Sequence, residues 1–241
     1  MNQIFIPVTL GSQTFVLAHR GASRAERENT VLAFRAAGDM GADGVELDVR
    51  LTADGHLVVH HDPRLEDGRD ICEMQRSELP AHIPTMHEAL DACAGMWVNV
   101  EIKNDEKEPD FDSSDSVAEL VARALVERNE NSRFLISSFR QETINKVHDF
   151  APELRTAWLT TVVAPNDAES IVESLVRGGH SALHPWVGLL TKELIDLCHE
   201  RDIQVNTWTC DDAVRMAELV EWKVDAICTN VPDVALRVLG R

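Results

Sequence analysis

The chain has 241 residues, 44% hydrophobic and 27% charged, a composition that excludes a disordered or fibrous chain and a length that suits one or two domains. With 23 Lys and Arg against 41 Asp and Glu, the formal charge is −18, which argues against general binding to nucleic acid or to an anionic membrane. An anionic substrate would need a site made locally positive by a metal or by a few placed cations.

Strand-like and helix-like patterns alternate along the whole chain. Phe15–Ala18 is a short apolar run ending in His19-Arg20-Gly21. Thr30–Met40 reads as an amphipathic helix, with Asn29 as N-cap and Gly41 as stop. Gly44–Leu51 is the next strand, and Leu57–His61 returns after Asp54-Gly55, a two-residue hairpin turn. That turn puts Asp48 opposite His61 and Arg50 opposite Val59. Asp62–Pro84 shows no clear period and reads as a small loop-rich insertion. Thr85–Ala94 is a helix with a Thr85/Glu88 capping box. Strand Met96–Ile102 follows, then helix Ser116–Arg128 with a Ser116/Glu119 box, strand Arg133–Ser137 and helix Gln141–Phe150. Strand Leu154–Leu159 precedes helix Asp167–Arg177, and strand Ser181–His184 precedes helix Lys192–Arg201, capped by Thr191. Strand Ile203–Trp208, helix Asp212–Val220, strand Asp225–Thr229 and a Pro232-led helix to Leu239 complete the chain. Alternating βα units imply a parallel sheet, and eight of them at this length imply a single (β/α)8 barrel of ~250 residues rather than an open sheet. No G-x-G-x-x-G follows the first strand, which disfavours a dinucleotide fold.

Glu46 and Asp48 stand two apart on an apolar strand, so both point to one face while Val45, Leu47 and Val49 point to the other. In a barrel the apolar face belongs against the helices and the acids point into the lumen. Two sheltered carboxylates require a compensating cation. A hard metal such as Mg2+ or Ca2+ meets that need, and so does an ion-pair network with Arg or Lys. Asn99, Glu101 and Lys103 share one face of a later strand, giving a third oxygen ligand and a cation for an anionic substrate, or a simple salt bridge. His19 and His61 fall at strand ends, where barrel active sites lie, and two imidazoles there suit a general acid and base. Arg20 has the planar fork suited to phosphate. Trp208 ends a strand and could wall the pocket. The other eight histidines read as structural, and the acidic run Asp105–Asp115 as a solvated loop. No G-x-S-x-G, HExxH or Walker A motif is present.

Five cysteines without a CxxC pair argue against a disulfide framework or a Cys-rich zinc site. No apolar run approaches the ~20 residues of a membrane span, and Met1–Leu10, without Lys or Arg and with Pro7, is a poor signal peptide. The expectation is a soluble cytoplasmic protein.

The residues resemble the glycerophosphodiester phosphodiesterases. The motifs that carry the resemblance are His19-Arg20-Gly21, Glu28-Asn29-Thr30 with Ala33-Phe34, Gly41 through Val49, Thr52-Ala-Asp-Gly55, Val58 through Asp62, Ile83-Pro-Thr85, Asn99 through Lys103, Thr207-Trp-Thr209 and Thr229-Asn-Val-Pro232. They span nearly the whole chain in order. The resemblance implies a barrel of the phospholipase C-like phosphodiesterase type. It also implies hydrolysis of a small-molecule glycerophosphodiester, such as glycerophosphocholine or glycerophosphoethanolamine, to glycerol 3-phosphate and an alcohol. It further implies a divalent cation (Mg2+ or Ca2+, with Mn2+ a further candidate) on Glu46, Asp48 and Glu101, an acid/base pair His19 and His61, and phosphate contacts from Arg20 and Lys103. Asn230 stands where many members have Asp, outside the expected core constellation, and the short stretch after Asp62-Pro63 departs from the family pattern. Two alternatives share these residues: a lyase on lysophospholipids that releases a cyclic phosphate, and a non-catalytic phosphodiester-binding barrel. The lyase calls for a lipid-facing apolar rim, which the sequence does not locate.

Overall fold

The computed structural model describes residues 10–241; residues 1–9, most of the segment weighed above as a leader, lie outside them. The chain runs β1 (Phe15–His19), α1 (Val31–Met40), β2 (Gly44–Leu51), β3 (Leu57–Val59), α2 (Met86–Ala92), β4 (Trp97–Ile102), α3 (Ser116–Glu127), β5 (Phe134–Ser138) and α4 (Gln141–Phe150). It continues β6 (Arg155–Thr160), α5 (Ala168–Arg177), β7 (Ala182–Pro185), α6 (Lys192–His199), β8 (Gln204–Thr207), α7 (Ala213–Glu221), β9 (Ala226–Thr229) and α8 (Pro232–Val238). Eight strands pair in parallel, and β1 pairs with both β2 and β9, so the sheet closes. This is the expected (β/α)8 barrel, with β3 hairpinned antiparallel onto the projecting end of β2. No helix among the described residues is long and apolar enough to cross a membrane.

Strand alternation divides the apolar residues between two places. Val45, Leu47, Val49, Val98, Val100 and Ile102 face outward and pack with Phe34, Ala37, Leu90 and Val121 of the surrounding helices. Each such buried side chain contributes roughly 1.5–3 kcal/mol relative to exposure. Inside the barrel, Leu17, Trp97, Leu135, Ala157, Ala182, Ala226 and Cys228 form a separate apolar plug. Gly44 makes room for that plug, since a Cβ there would stand 2.7 Å from the Trp97 ring. The polar groups Glu46, Asp48, Asn99 and Glu101 lie beyond this plug, towards the C-terminal ends of their strands, while Arg155 at the start of β6 donates a hydrogen bond to Gln204 at the start of β8 at 2.7 Å.

The hairpin register differs from expectation by one residue. Arg50 pairs with Val58, and Asp48 accepts a hydrogen bond from the His60 N–H at 3.0 Å. The loop is three residues, Ala53, Asp54 and Gly55, closed by Thr52 N–H to His56 O at 3.0 Å. Gly55 takes the left-handed position at φ 81° that follows a type I turn in such loops. Pairing ends at Val59, so His61 reaches the site through the turn after the strand. The insertion that follows carries two short 3-10 turns, Ile71–Glu73 and Arg76–Glu78. Leu65, Ile71, Met74, Leu79 and Ile83 form its own small core with Val58.

Helix caps were partly as expected. Thr85 and Glu88 make the capping box, and Thr191 caps α6. Thr30 rather than Asn29 caps α1, because Asn29 turns its side chain into the barrel. Asp115, not Ser116, precedes α3, and Asp112 accepts the Ser116 N–H at 2.7 Å. The acidic run is correspondingly less solvated than expected. Asp110 and Glu108 meet the buried Arg50, and buried Asp115 accepts hydrogen bonds from Asn104 and Thr143.

Candidate active site

Parallel register builds the centre. Glu46 pairs with Asn99 and with His19, and Asp48 with Glu101, so three neighbouring strands bring their polar inward residues into two adjoining layers. Ligand atoms of Glu46, Asp48 and Glu101 lie within 4.8 Å of one another, and all three side chains are buried. Burial, then the facing Asp48 and Glu101, push Glu46 well above the ordinary carboxylate range. Burial would also raise Asp48, but Lys103, Arg20, His61 and the Asn29 amide outweigh it and bring it to about 2. Glu101 is raised, mainly by burial, with Lys103 opposing.

Two cations flank the acids. Lys103 Nζ lies 2.8 Å from Glu101 Oε1 and 3.5 Å from Asp48 Oδ1, and Arg20 Nε lies 3.3 Å from Asp48 Oδ2. The ion-pair reading is therefore partly met, but it does not use every oxygen. Glu46 Oε1 and Asp48 Oδ1 are buried without a hydrogen-bond partner. Such orphaned acceptors cost about 1–3 kcal/mol each. An oxygen-only, buried and under-satisfied set fits a hard divalent cation held by Glu46, Asp48 and Glu101.

The turn after β1 sets Arg20. Arg20 and Gly21 both take left-handed backbone, φ 58° and 79°, and a Cβ on Gly21 would stand 2.6 Å from the Ala33 carbonyl carbon. The turn aims the Arg20 N–H at Glu46 Oε2 (2.9 Å), while its guanidinium also reaches Glu28. Asn29, itself at φ 56°, donates from Nδ2 to Asp48 Oδ2 at 2.7 Å and accepts the Asp48 N–H. It had been read as a helix cap. The Glu28-Asn29-Thr30 motif was the available signal for its role in the site.

His19 is held from behind by Asn230, with Nδ1 2.7 Å from the Asn230 Oδ1. Asn230 donates from Nδ2 to Asp211 Oδ2 at 2.8 Å and from its backbone N–H to Asp211 Oδ1 at 2.9 Å. An ionised carboxylate only accepts, so the amide nitrogen must face Asp211 and the amide oxygen must face His19. His19 therefore carries its proton on Nδ1 when neutral, leaving Nε2, 4.0 Å from Glu46 Oε2, with a free lone pair. Burial and the Arg20 charge lower the His19 pKa, with Asn230 opposing. Asn230 thus sits against the constellation, a correction to the sequence reading, and Asp211 was missed altogether.

His61 points its Nδ1 at Asp62 Oδ1, 2.7 Å away. Burial lowers its pKa; Asp48 opposes that, while Lys103 and Arg20 add to it. His60, as expected, turns elsewhere, to the Asp62 carbonyl. Trp208 closes the upper lumen: its Nε1 donates to the His184 carbonyl at 2.8 Å, and its ring meets Phe139 edge-on at 5.3 Å. The Trp208–Thr209 peptide is cis. His184, read as structural, lies in the lumen beside His19 and Glu46 and accepts from Asn206. Burial lowers its pKa to about 3, which fits a neutral supporting role. Exposed Phe139 and Trp186 give the mouth an aromatic side on the loops after β5 and β7, which the sequence had not located.

All eight residues singled out from sequence as site residues thus gather at one end of the barrel. The arrangement can hold a cation, meet an anion with two fixed positive charges, and move protons at two imidazole Nε2 atoms. The glycerophosphoryl diester phosphodiesterase family model matches residues 19–234. A glycerophosphodiester phosphodiesterase of Caldanaerobacter subterraneus subsp. tengcongensis is 30% identical over 251 residues, covering 95% of this chain and 99% of its own. Among solved structures, a putative glycerophosphoryl diester phosphodiesterase from Silicibacter pomeroyi has a TM-score of 0.85 at 24% identity, covering 98% of this chain and 97% of that one. An Oleispira antarctica phosphodiesterase in complex with the product sn-glycerol-3-phosphate has a TM-score of 0.82 at 24% identity, covering 95% and 98%. These two share the fold. Because the family match runs from His19 at the end of the first strand to Val234 in the last helix, this chain belongs to the glycerophosphoryl diester phosphodiesterase family and is a phosphoric diester hydrolase.

Proposed function

We propose that the enzyme hydrolyses glycerophosphodiesters, such as glycerophosphocholine or glycerophosphoethanolamine, to glycerol 3-phosphate and an alcohol, with a divalent cation at Glu46, Asp48 and Glu101. The observation that carries this is the convergence of three buried carboxylates, within 4.8 Å of one another, with Arg20, Lys103, His19 and His61 at one barrel mouth. Mg2+ and Ca2+ suit the oxygen-only donor set, with Mn2+ a further candidate. When bound, the cation supplies Lewis-acid stabilisation of phosphoryl oxygens.

The chain's own groups divide the rest of the work. Arg20 and Lys103 orient the phosphodiester anion and offset charge that grows in the transition state. His19 is the base: its Nε2 lone pair is free and its Nδ1 partner is a neutral amide, so the ring is held neutral. It takes the proton from the attacking hydroxyl, either water or the glycerol C2 hydroxyl. His61 is the acid: its Nδ1 leans on the Asp62 carboxylate, which opposes the lowering that burial imposes on the ring, whereas His19 has a neutral amide in that place. It protonates the alkoxide as the phosphorus–oxygen bond breaks. The test is glycerol 3-phosphate release from glycerophosphocholine and glycerophosphoethanolamine with each metal and with EDTA. Release abolished by EDTA and restored by one metal is expected. EDTA-insensitive release refutes the metal role, and a cyclic phosphate as final product favours the lyase reading.

A further inference from the structure

His19, Asn230 and Asp211 form a row because β1, β9 and β8 are neighbours in the barrel, and the three residues lie at or just beyond the C-terminal ends of those strands. The hydrogen bond made by one nitrogen of an imidazole sets which nitrogen carries the proton. Two of the three groups that meet the Asn230 amide can serve either order of donors and acceptors. The His19 ring donates or accepts at Nδ1 according to its tautomer. The Ser23 hydroxyl, 2.9 Å from the Asn230 Oδ1, donates or accepts by rotating. Asp211 alone has a fixed role.

That role rests on Asp211 being ionised. Burial would raise its pKa, but the Asn230 side chain and N–H, the Thr229 hydroxyl and the Arg24 charge outweigh it and hold the carboxyl below its ordinary value. The Asn230 N–H and the Thr229 hydroxyl both donate to Oδ1, at 2.9 and 3.0 Å, which leaves Oδ2 to the Asn230 amide. On the far side of the imidazole the local charge pulls the opposite way. The group facing His19 Nε2 is the Glu46 carboxylate, 4.0 Å away. By itself it would draw the ring proton to Nε2 and cover the lone pair that a base needs.

Resting on the diesterase reading above, we infer that Asp211 is a positioning residue of the reaction: it fixes the Asn230 amide and, through it, keeps the proton of the neutral His19 ring on Nδ1 and the lone pair on Nε2. It acts without touching substrate. The isosteric change D211N inverts the row. The new amide turns its oxygen to the Asn230 N–H, which can only donate, and its nitrogen to the Asn230 side chain. Asn230 then turns its own oxygen towards that nitrogen and its NH2 towards His19. Nδ1 becomes the acceptor and the ring proton moves to Nε2. Adding N230D restores the order, because a carboxylate at position 230 accepts from the new amide on one side and from His19 Nδ1–H on the other.

The experiment reads the tautomer and the turnover separately in the wild type, D211N and D211N/N230D. Imidazole 15N spectra of histidine-labelled protein, taken at about pH 8 where an imidazole is neutral, report the protonated nitrogen, with H19Q assigning the His19 signals. The wild type should carry the proton on Nδ1 and D211N on Nε2. In D211N, kcat for glycerophosphocholine should fall by about 10- to 100-fold, as a wrong tautomer costs a base, with KM within about twofold. The exchange variant should regain the Nδ1 proton and bring kcat to within about fivefold of the wild type. A merely structural role would lower Tm without moving the proton, and the exchange would not repair it. A His19 ring that keeps its Nδ1 proton in D211N, or an exchange variant no more active than D211N, overturns the inference. An inverted ring with wild-type kcat overturns it too, and removes His19 as the base. Failure of the wild type to release glycerol 3-phosphate with any metal refutes the diesterase reading, while the ring spectra still decide whether Asp211 sets the tautomer.

Discussion

Arg50→Met tests how the fold holds the proposed acid in place. The Arg50 side chain is fully buried. Its Nε and Nη2 donate to the His61 carbonyl at 2.8 and 2.5 Å, and its Nη1 donates to Asp110 Oδ2 at 2.5 Å. Glu108 pairs with the same nitrogen by distance alone, its Oε2 at 2.9 Å lying off the hydrogen-bonding direction. Met keeps the aliphatic stem but strands two carboxylates and a carbonyl around an apolar tip. Breaking a buried ion pair from one side costs about 3–5 kcal/mol. At about 2–4 °C per kcal/mol for a chain of this size, Tm should fall by roughly 6–20 °C. R50M/E108Q/D110N removes the stranded charges and should recover more than half of that loss. The lost His61 anchor is not recovered, so kcat should stay depressed by about tenfold or more in both variants, because small misplacements of a catalytic group are costly. Differential scanning fluorimetry and glycerol 3-phosphate release are the assays. An R50M protein with Tm within 2 °C of wild type, or a triple variant with full kcat, would refute the reasoning.

Other expectations follow from the same geometry. H19A and H61A should each lower kcat by about 10²–10⁴-fold with little change in Tm; near-wild-type turnover in both rules out the acid/base assignment. Glu46→Gln removes one of three mutually repelling carboxylates, so it should raise the Tm of EDTA-treated protein and abolish the rise that Mg2+ or Ca2+ produces in the wild type. A metal-induced rise that survives in E46Q would remove Glu46 from the ligand set. Burial holds His184 and His180 neutral in the fold, with pKa values lowered to about 3 and about 4. The unfolded chain protonates them near pH 6.5, so below that pH it binds more protons than the native state. Their contribution is complete above pH 6.5 and is lost as pH falls towards 4, by about 1.4 kcal/mol per pH unit for each group. Urea titrations of wild type and H180Q between pH 6.5 and 5 should show that one group's share of the slope disappears in the variant; identical slopes would contradict the assignment.

Most of the barrel is legible from local pattern. Glu46, Asp48 and Glu101 could be assigned to the lumen because a strand alternates faces, and their neighbours Val45, Leu47, Val100 and Ile102 are apolar and belong against helices. Closure, the order of eight strands and the strand-end positions of His19 and Trp208 follow from the βα beat. The hairpin register did not follow. Asp54-Gly55 supports a two-residue or a three-residue loop equally well in sequence, and the observed loop gives the left-handed position to Gly55 alone. The acidic run after Lys103 could not be told from a solvated loop, because its buried partner Arg50 lies on another strand.

Residue type and strand period by themselves thus determined the architecture and the first layer of candidate site residues. Both are consequences of where the backbone must point each side chain. Tertiary structure alone decided what stands behind that layer. Asn29 clamps Asp48 across 19 positions, and Asn230 orients His19 across 211. Such contacts carry no local period, since they arise only when barrel closure brings β1 beside β9 and the turn after β1 above β2. The orphaned oxygens of Glu46 and Asp48 are likewise visible only once neighbouring strands have brought Glu101, Arg20 and Lys103 around them.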